Sequence, residues 1–145
     1  MSILEKIFKN KKGFCKVKIP EGQQKPVKYN KVFKAHHTKA VLEDGKLYNT
    51  ETAENVFYGN REEITFGRAI RRAYFITPNG RWFSADEDIE VYTNSYEKGD
   101  LKHEDTVVNA RYSNLRMKNT IVIKQLLGKI NVELYKKYFG EAEEA

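Results

Sequence analysis

Four arginines lie close together near the middle of the sequence: Arg68, Arg71, Arg72 and Arg81. A guanidinium group presents a planar fork of N–H donors that fits phosphate or carboxylate, and it also stacks on aromatic rings. Tyr74 and Trp82 accompany these arginines along the chain. The group therefore predicts a pocket or groove for an anionic ligand that carries a base, such as a small nucleotide.

The alternative is that these arginines form ordinary surface ion pairs. The nearby carboxylates that would serve are Glu62, Glu63 and Glu90. A second acidic run, residues 86–88, could in principle hold a divalent ion or transfer protons, as could residues 103–105. Three consecutive acids are more typical of a solvated turn, and we expect a turn there.

The three histidines do not form a convincing chemical set. Neighbouring residues on a strand point to opposite faces, so His36 and His37 cannot easily share one metal ion. The sequence has no glycine-rich phosphate loop, no paired-cysteine motif and no nucleophile in a recognisable motif. We therefore expect no catalytic residues, no metal site and no cofactor.

The charge of the chain is unevenly distributed. Its 145 residues carry a formal net charge of +6, but residues 1–40 hold 11 lysines against two acids, which leaves −3 for residues 41–145. A basic segment on a mildly acidic body indicates contact with a polyanion or with an acidic protein face, although a solubilising surface has the same composition. The lysines expected to point outward from strands are Lys16, Lys18, Lys28 and Lys34.

Length and composition favour one domain over residues 1–145. With 40% hydrophobic residues the chain can bury one core of ordinary size. Cys15 is the single cysteine, which excludes an internal disulfide. No leader-like segment or long apolar run is evident, so we expect a cytoplasmic protein with no membrane partner.

The first half of the chain mixes helix and strand signals. Apolar spacing predicts a short amphipathic helix over residues 3–12, followed by a lysine-bearing strand over residues 14–19. Residues 27–48 read as two strands joined near the Asp44-Gly45 pair. Thr50 then resembles a helix start, with Ala53, Val56 and Phe57 at helical spacing.

The second half of the chain gives clearer signals. The turn Thr77-Pro78-Asn79-Gly80 predicts a hairpin that pairs residues 73–77 with residues 81–85. Alternation predicts further strands over residues 88–93 and, more weakly, residues 106–112. Asn119 and Asn131 are expected to cap two helices, the second ending at Gly140.

These elements predict an α+β fold. Its centre is an antiparallel β-sheet of about five to six strands, covered by the C-terminal helices and preceded by a short N-terminal helix. Such a sheet needs a second layer over its apolar face, so Trp82 or Phe83 should be buried against the helix of residues 121–130.

Three phrases stand in a fixed order: GKLYNTETAE (45–54), YFITPNGRWFS (74–84) and VELYKKYFGEAEEA (132–145). Together they resemble a group of small uncharacterised proteins of Firmicutes phages, plasmids and other mobile elements. That group shares a GKxYxTETA phrase, a TxxGxWF hairpin and an acidic tail after FGE. The resemblance spans about the last hundred residues and implies a setting in a bacterial host, with no catalytic residues to carry over.

Three functions remain open from the sequence. The first is a non-catalytic phage or mobile-element protein that inhibits a bacterial nucleic-acid defence, as an anti-CRISPR does, by binding a nuclease complex or its nucleic acid. The second is a sponge that sequesters a small anionic nucleotide signal through the arginine group. The third is an accessory DNA- or RNA-binding protein.

Overall fold

The structure, a computed structural model, describes residues 17–18 and 26–145. The predicted N-terminal helix lies outside the described residues, as do Cys15 and Lys16. The described elements, in chain order, are β1 (Val17–Lys18), β2 (Val27–His36), β3 (Lys39–Val41), β4 (Leu47–Asn49), β5 (Glu54–Thr65), β6 (Arg68–Ile76), β7 (Trp82–Lys98), β8 (Leu101–Lys118), α1 (Thr120–Ile130) and α2 (Val132–Phe139).

The α+β class is confirmed, but the sheet is mixed and not purely antiparallel. Its six strands run in the order β1-β2-β8-β7-β6-β5, and β2 pairs with β8 in parallel. Parallel neighbours need a long crossover connection. Here residues 37–100 lie between the two strands and include five other strands, so the pairing could not be deduced from local turn signals.

The predicted hairpin at residues 77–80 is confirmed in its register. Thr77 N–H donates to the carbonyl oxygen of Arg81 at 2.8 Å, and Gly80 adopts φ 79° with its N–H on the carbonyl of Thr77. The ladder pairs Phe75 with Phe83 and Ile76 with Trp82. Pro78 and Gly80 therefore fix which residues of β6 and β7 share a face.

Residues 54–57 belong to a strand, so the helix predicted after Thr50 is wrong. Thr50 is buried in a turn, and β5 begins at Glu54. A register shift between Asn55 and Phe57 makes both Val56 and Phe57 pack against one cluster. This β-bulge breaks the strand period of two and imitates helical spacing.

The segment predicted as two strands over residues 27–48 forms three. After β2, the short hairpin β3–β4 is a separate two-stranded sheet that closes through Gly45 at φ 75°. The acidic run 86–88, expected in a turn, lies inside β7. Strand β7 and its neighbour β8 are much longer than the predicted segments, and they turn at Gly99 and Asp100.

Helices α1 and α2 cover one end of one sheet face, as predicted. Trp82 is 5% exposed and clusters with Phe57, Ile123 and Leu127. We call the sheet face that carries Trp82 the helix-side face. The opposite face holds the second cluster, in which Phe83 stacks on Phe75 with ring centroids 5.1 Å apart.

Both predicted helix caps are confirmed. The side chain of Asn119 accepts a hydrogen bond from Ile121 N–H, and the side chain of Asn131 accepts one from Leu134 N–H. Gly140 ends α2 at φ 85°. These caps satisfy backbone donors that a helix start leaves unpaired.

Candidate nucleic-acid interface

The predicted arginine group is held mainly by the acidic run of β7 and not by the glutamates expected. Arg68 forms a forked contact with Asp88, with Nη2 2.8 Å from Oδ2, and Arg72 Nη2 lies 3.3 Å from Asp86 Oδ1. Glu63 pairs instead with Arg61. Asp86 to Asp88 are therefore cross-strand partners of β6 arginines.

Arg71 is buried and is removed from any surface site. Its Nε donates to Glu87 Oε1 at 2.6 Å, and its guanidinium carbon lies 3.4 Å from the centroid of the Tyr58 ring. Arg71 is 4% exposed and Glu87 0%. The pair belongs to the core on the face opposite the helices, where a ligand in solution cannot reach it.

Arg81 lies apart from the other three, at the end of the sheet. Its Nη1 is 3.6 Å from Asp44 Oδ2, the atom that also accepts a 2.6 Å hydrogen bond from the Tyr48 hydroxyl. This hydrogen bond is the largest cause that lowers the pKa of Asp44. The structure therefore does not bring the four arginines together into one nucleotide pocket.

The register of the sheet shows on which face the predicted lysines of the basic segment lie. Lys18 is described only in its backbone, within β1. Lys34 is exposed and pairs with Asn109 of β8, which pairs in turn with Glu90 of β7. Directly paired residues share a face, so Lys34 lies on the helix-side face, beyond the helices. By the same register, half-buried Lys28 lies on that face beside His103.

Three cations of β8 lie on this face that sequence reasoning missed. Arg111 pairs with Asp88, Arg116 with Ser84 and Lys118 with Trp82. In the described part of the chain, no salt bridge holds any of the three. Arg111 stands between Asp88 of β7 and His36 of β2, whereas Arg116 and Lys118 lie beyond the end of the β2–β8 ladder.

We call this surface the basic face. Its cations are Lys34, Arg68, Arg72, Arg111, Arg116 and Lys118, and its acids are Asp86, Asp88 and Glu90 on β7 and Glu62 on β5. The three acids of β7 form one column, with cations on the strands at both sides. A shallow cavity of about 300 Å³ opens there, lined by Arg68, Asp88, Glu90, Asn109 and Arg111.

Lys118 is influenced by two other cations of the basic face. Burial lowers the pKa of this lysine, and the like charges of Arg72 and Arg116 lower it further. Like charges disfavour a protonated amine when no anion compensates them. A bound anion would relieve this repulsion, which makes this end of the basic face suited to phosphate.

The histidines are used in hydrogen bonds and stacking. His36 Nε2 lies 2.7 Å from Asn109 Oδ1, and His37 stacks on Tyr112 at 5.4 Å between centroids. His103 stacks on Tyr96. Among residues 17–18 and 26–145, no three His, Cys, Asp or Glu side chains are grouped to hold a metal ion.

No helix within the described ranges has the length and apolar character needed to cross a membrane. Comparisons with protein-family models, curated proteins and solved structures find no match to the chain. The resemblance to mobile-element proteins therefore stays a prediction.

The missed cations had a partial signal in the sequence. Arg116 and Lys118 alternate in LRMK as residues on one face of a strand do. Between them and Arg111, however, Asn114 adopts φ 56° beside a register shift opposite Ser84 and Asp86. This bulge restores Arg111 to the same face after an odd number of residues, which alternation alone cannot reveal.

Proposed function

We propose that this chain is a non-catalytic mobile-element protein of the bacterial cytoplasm. It inhibits a bacterial nucleic-acid defence by binding a nuclease complex, or the nucleic acid of that complex, through the basic face. The observation that carries the proposal is the excess of cations over acids on an open sheet face. Unpaired cations on one surface attract polyanions from a distance and bind their phosphates on contact.

The sheet positions these charges well for binding. Arg111, Arg116 and Lys118 all come from β8: Arg111 is paired on both sides, with β2 and β7, and Arg116 and Lys118 are paired with β7. Arg68 and Arg72 are oriented by their carboxylate partners, so their donors are aligned before binding. Preorganised donors lose less side-chain freedom when a partner arrives.

The sponge for a small anionic nucleotide is the weaker alternative. It needed the arginine group and the hairpin aromatics in one pocket. Arg71 is buried, Arg81 lies elsewhere, and Trp82 is buried under the helices. An accessory DNA- or RNA-binding role would use the same basic face and differs only in its consequence for the host.

The test is protection of phage or plasmid DNA in bacteria that carry RNA-guided nucleases of several types. We expect the wild-type chain to protect against at least one type. The double variant Arg111→Glu/Arg116→Glu should lose protection and should not pull the nuclease complex from lysate. Recovery with and without nuclease treatment separates a protein contact from a nucleic-acid bridge.

The matched control is Lys129→Glu/Lys136→Glu, which changes the net charge equally at exposed positions on α1 and α2. It should protect as the wild type does. Equal loss in both variants would mean that total charge matters and not the basic face. Full protection by the Arg111/Arg116 variant would reject this face as the site.

A further inference from the structure

Beyond the basic face, two exposed tyrosines continue the same surface of β7. Tyr92 and Tyr96 are each 41% exposed, whereas most aromatic rings of the sheet are packed in its two clusters. We infer that this part of the sheet binds single-stranded nucleic acid, with bases stacked on Tyr92 and Tyr96 and phosphates on the adjoining cations. The inference rests on the proposed function and names its ligand class.

The strand register places both rings beside the basic face. Glu90 pairs with Asn109, Tyr92 with Val107 and Tyr96 with His103. Alternate residues of a strand share a face, so both tyrosines lie on the helix-side face with Lys34 and Arg111. At about 3.4 Å per residue, Tyr92 is about 14 Å along the strand from Asp88, the partner of Arg111.

The Tyr96 ring already forms part of a stack. It lies parallel to the His103 ring, with an interplanar angle of 3° and a centroid distance of 4.9 Å. Asn30 fixes this end of the sheet: its Nδ2 donates to Asp105 Oδ1 at 2.8 Å and lies 3.3 Å from His103 Nδ1. A base on the open side of Tyr96 would extend an ordered stack.

The position of β6 leaves these rings accessible. In the described part of the chain, the β6–β7 ladder ends at the pair Arg68–Glu90, so Tyr92 and Tyr96 have no β6 residue beside them. Lys98 is also exposed at the tip of this hairpin, and Lys28 pairs with His103 on its other side. A single strand of nucleic acid laid along β7 would meet cations before, beside and beyond the two tyrosine rings.

Exposed rings favour a single strand over a duplex. Bases in a duplex are stacked on one another and do not present their faces to a flat sheet. Unpaired bases can stack on tyrosine, and this stacking tolerates any sequence because every base has an aromatic face. Asp105 pairs with Asn94, which lies between Tyr92 and Tyr96 along β7. Asp105 is buried and hydrogen-bonded to Asn30, which limits its repulsion of phosphate.

The experiment measures fluorescence anisotropy with three probes: a 20-nucleotide oligothymidylate, a 20-nucleotide oligouridylate and a 20-base-pair duplex. We expect either single strand to bind at least about 10-fold more tightly than the duplex, since stacking on each ring contributes about 5- to 150-fold. Preference for one single strand identifies the source as DNA or RNA. Tyr92→Ala/Tyr96→Ala should abolish this preference.

Two variants control for folding and for general exposure. Tyr92→Phe/Tyr96→Phe keeps both rings and should bind within a few-fold of wild type. Phe66→Ala removes a fully exposed ring at the tip of the β5–β6 hairpin and should also bind normally. The logarithm of the affinity for a single strand should fall with the logarithm of the salt concentration, with a slope of about −0.7 per phosphate contacted.

Duplex binding as tight as single-strand binding would overturn the inference, as would unchanged binding by the double alanine variant. A chain that protects phage but binds neither single strand would also overturn it, while leaving the proposed inhibition intact. A chain that binds single strands through the tyrosines but never protects would instead overturn the proposed inhibition alone.

Discussion

Arg71 and Glu87 form an ion pair inside the sheet's core, with Nε 2.6 Å from Oε1 and both side chains withdrawn from solvent. Burying two charges costs much of the free energy that their attraction returns. Removing one partner leaves the other charge buried without compensation. The pair is therefore a strong constraint on mutation, whether or not it adds net stability.

We expect Arg71→Met and Glu87→Leu each to lower the free energy of unfolding by about 3–5 kcal/mol, because each leaves one uncompensated buried charge. The double variant should be much less destabilised than the sum of the two, or even more stable than wild type. Urea unfolding measures all three. Arg68→Met, at a more exposed pair, should cost at most about 1 kcal/mol. Additive losses in the double variant would contradict this account.

Trp82→Ala should lower the free energy of unfolding by about 3–5 kcal/mol, since it leaves a large cavity between the sheet and α1. Phe66→Ala removes an aromatic ring that is fully exposed, and should change stability by less than about 0.5 kcal/mol. Thermal and urea unfolding of both variants would check the difference. Similar losses would mean that α1 does not depend on Trp82 for its docking.

Gly67→Ala should destabilise the protein more than Gly80→Ala does. Both glycines have positive φ, 78° and 79°, so each substitution carries a backbone cost of about 1–2 kcal/mol. At Gly67 the added Cβ would also meet the carbonyl oxygen of Val91 at 2.8 Å, whereas Gly80 has nothing within 4 Å. Equal unfolding midpoints in urea would show that the contact with Val91 yields without cost.

Alkali should destabilise the fold through its tyrosines. Burial, followed by the charge of Glu87, raises the pKa of Tyr112 above its ordinary value. The unfolded chain loses this proton near pH 10 while the folded protein keeps it, so the native state binds more protons there. Stability contributed by Tyr112 is present below pH 10 and should be lost above it, at about 1.4 kcal/mol per pH unit.

Urea unfolding at about pH 8 and about pH 11 measures this loss. Tyr112→Phe cannot ionise and should show a smaller decrease between the two conditions. The pKa values of Tyr48, Tyr96 and Tyr138 are raised as well, so the variant should retain part of the decrease. An identical decrease in wild type and variant would mean that Tyr112 ionises freely in the folded protein.

The sequence predicted elements whose signals are local. A turn of fixed type set the hairpin register at residues 77–80, and asparagine side chains marked the start of both helices. Continuing that register by two residues from the Ala73–Ala85 pair would also have placed Arg72 opposite Asp86 and Arg71 opposite Glu87. The ion pairs can therefore be deduced from the sequence if residues 86–88 are assigned to a strand.

Two β-bulges explain what local signals concealed. One near Asn55 made Val56 and Phe57 pack together and imitate a helix, and one near Asn114 interrupted the alternation of β8. Because the second bulge interrupts the alternation, residues 113–118 do not have the pattern of a strand. Arg116 and Lys118 therefore do not stand out in the sequence as candidate site residues. The exposure of Tyr92 and Tyr96 depends on where β6 ends relative to β7, which only the assembled sheet determines.

The parallel pairing of β2 with β8 also sets the order in which the protein can be built. Asn30 pairs with Asp105 in the β2–β8 ladder, and the residues between them take about 4–15 s to synthesise at 5–20 residues per second. During that interval β2 lacks β8 and can pair only with the two residues of β1, while the local β3–β4 and β6–β7 hairpins can already close. Folding is therefore expected to finish only after β8 has left the ribosome, and chains shortened before residue 111 should expose β2 to chaperones and proteases.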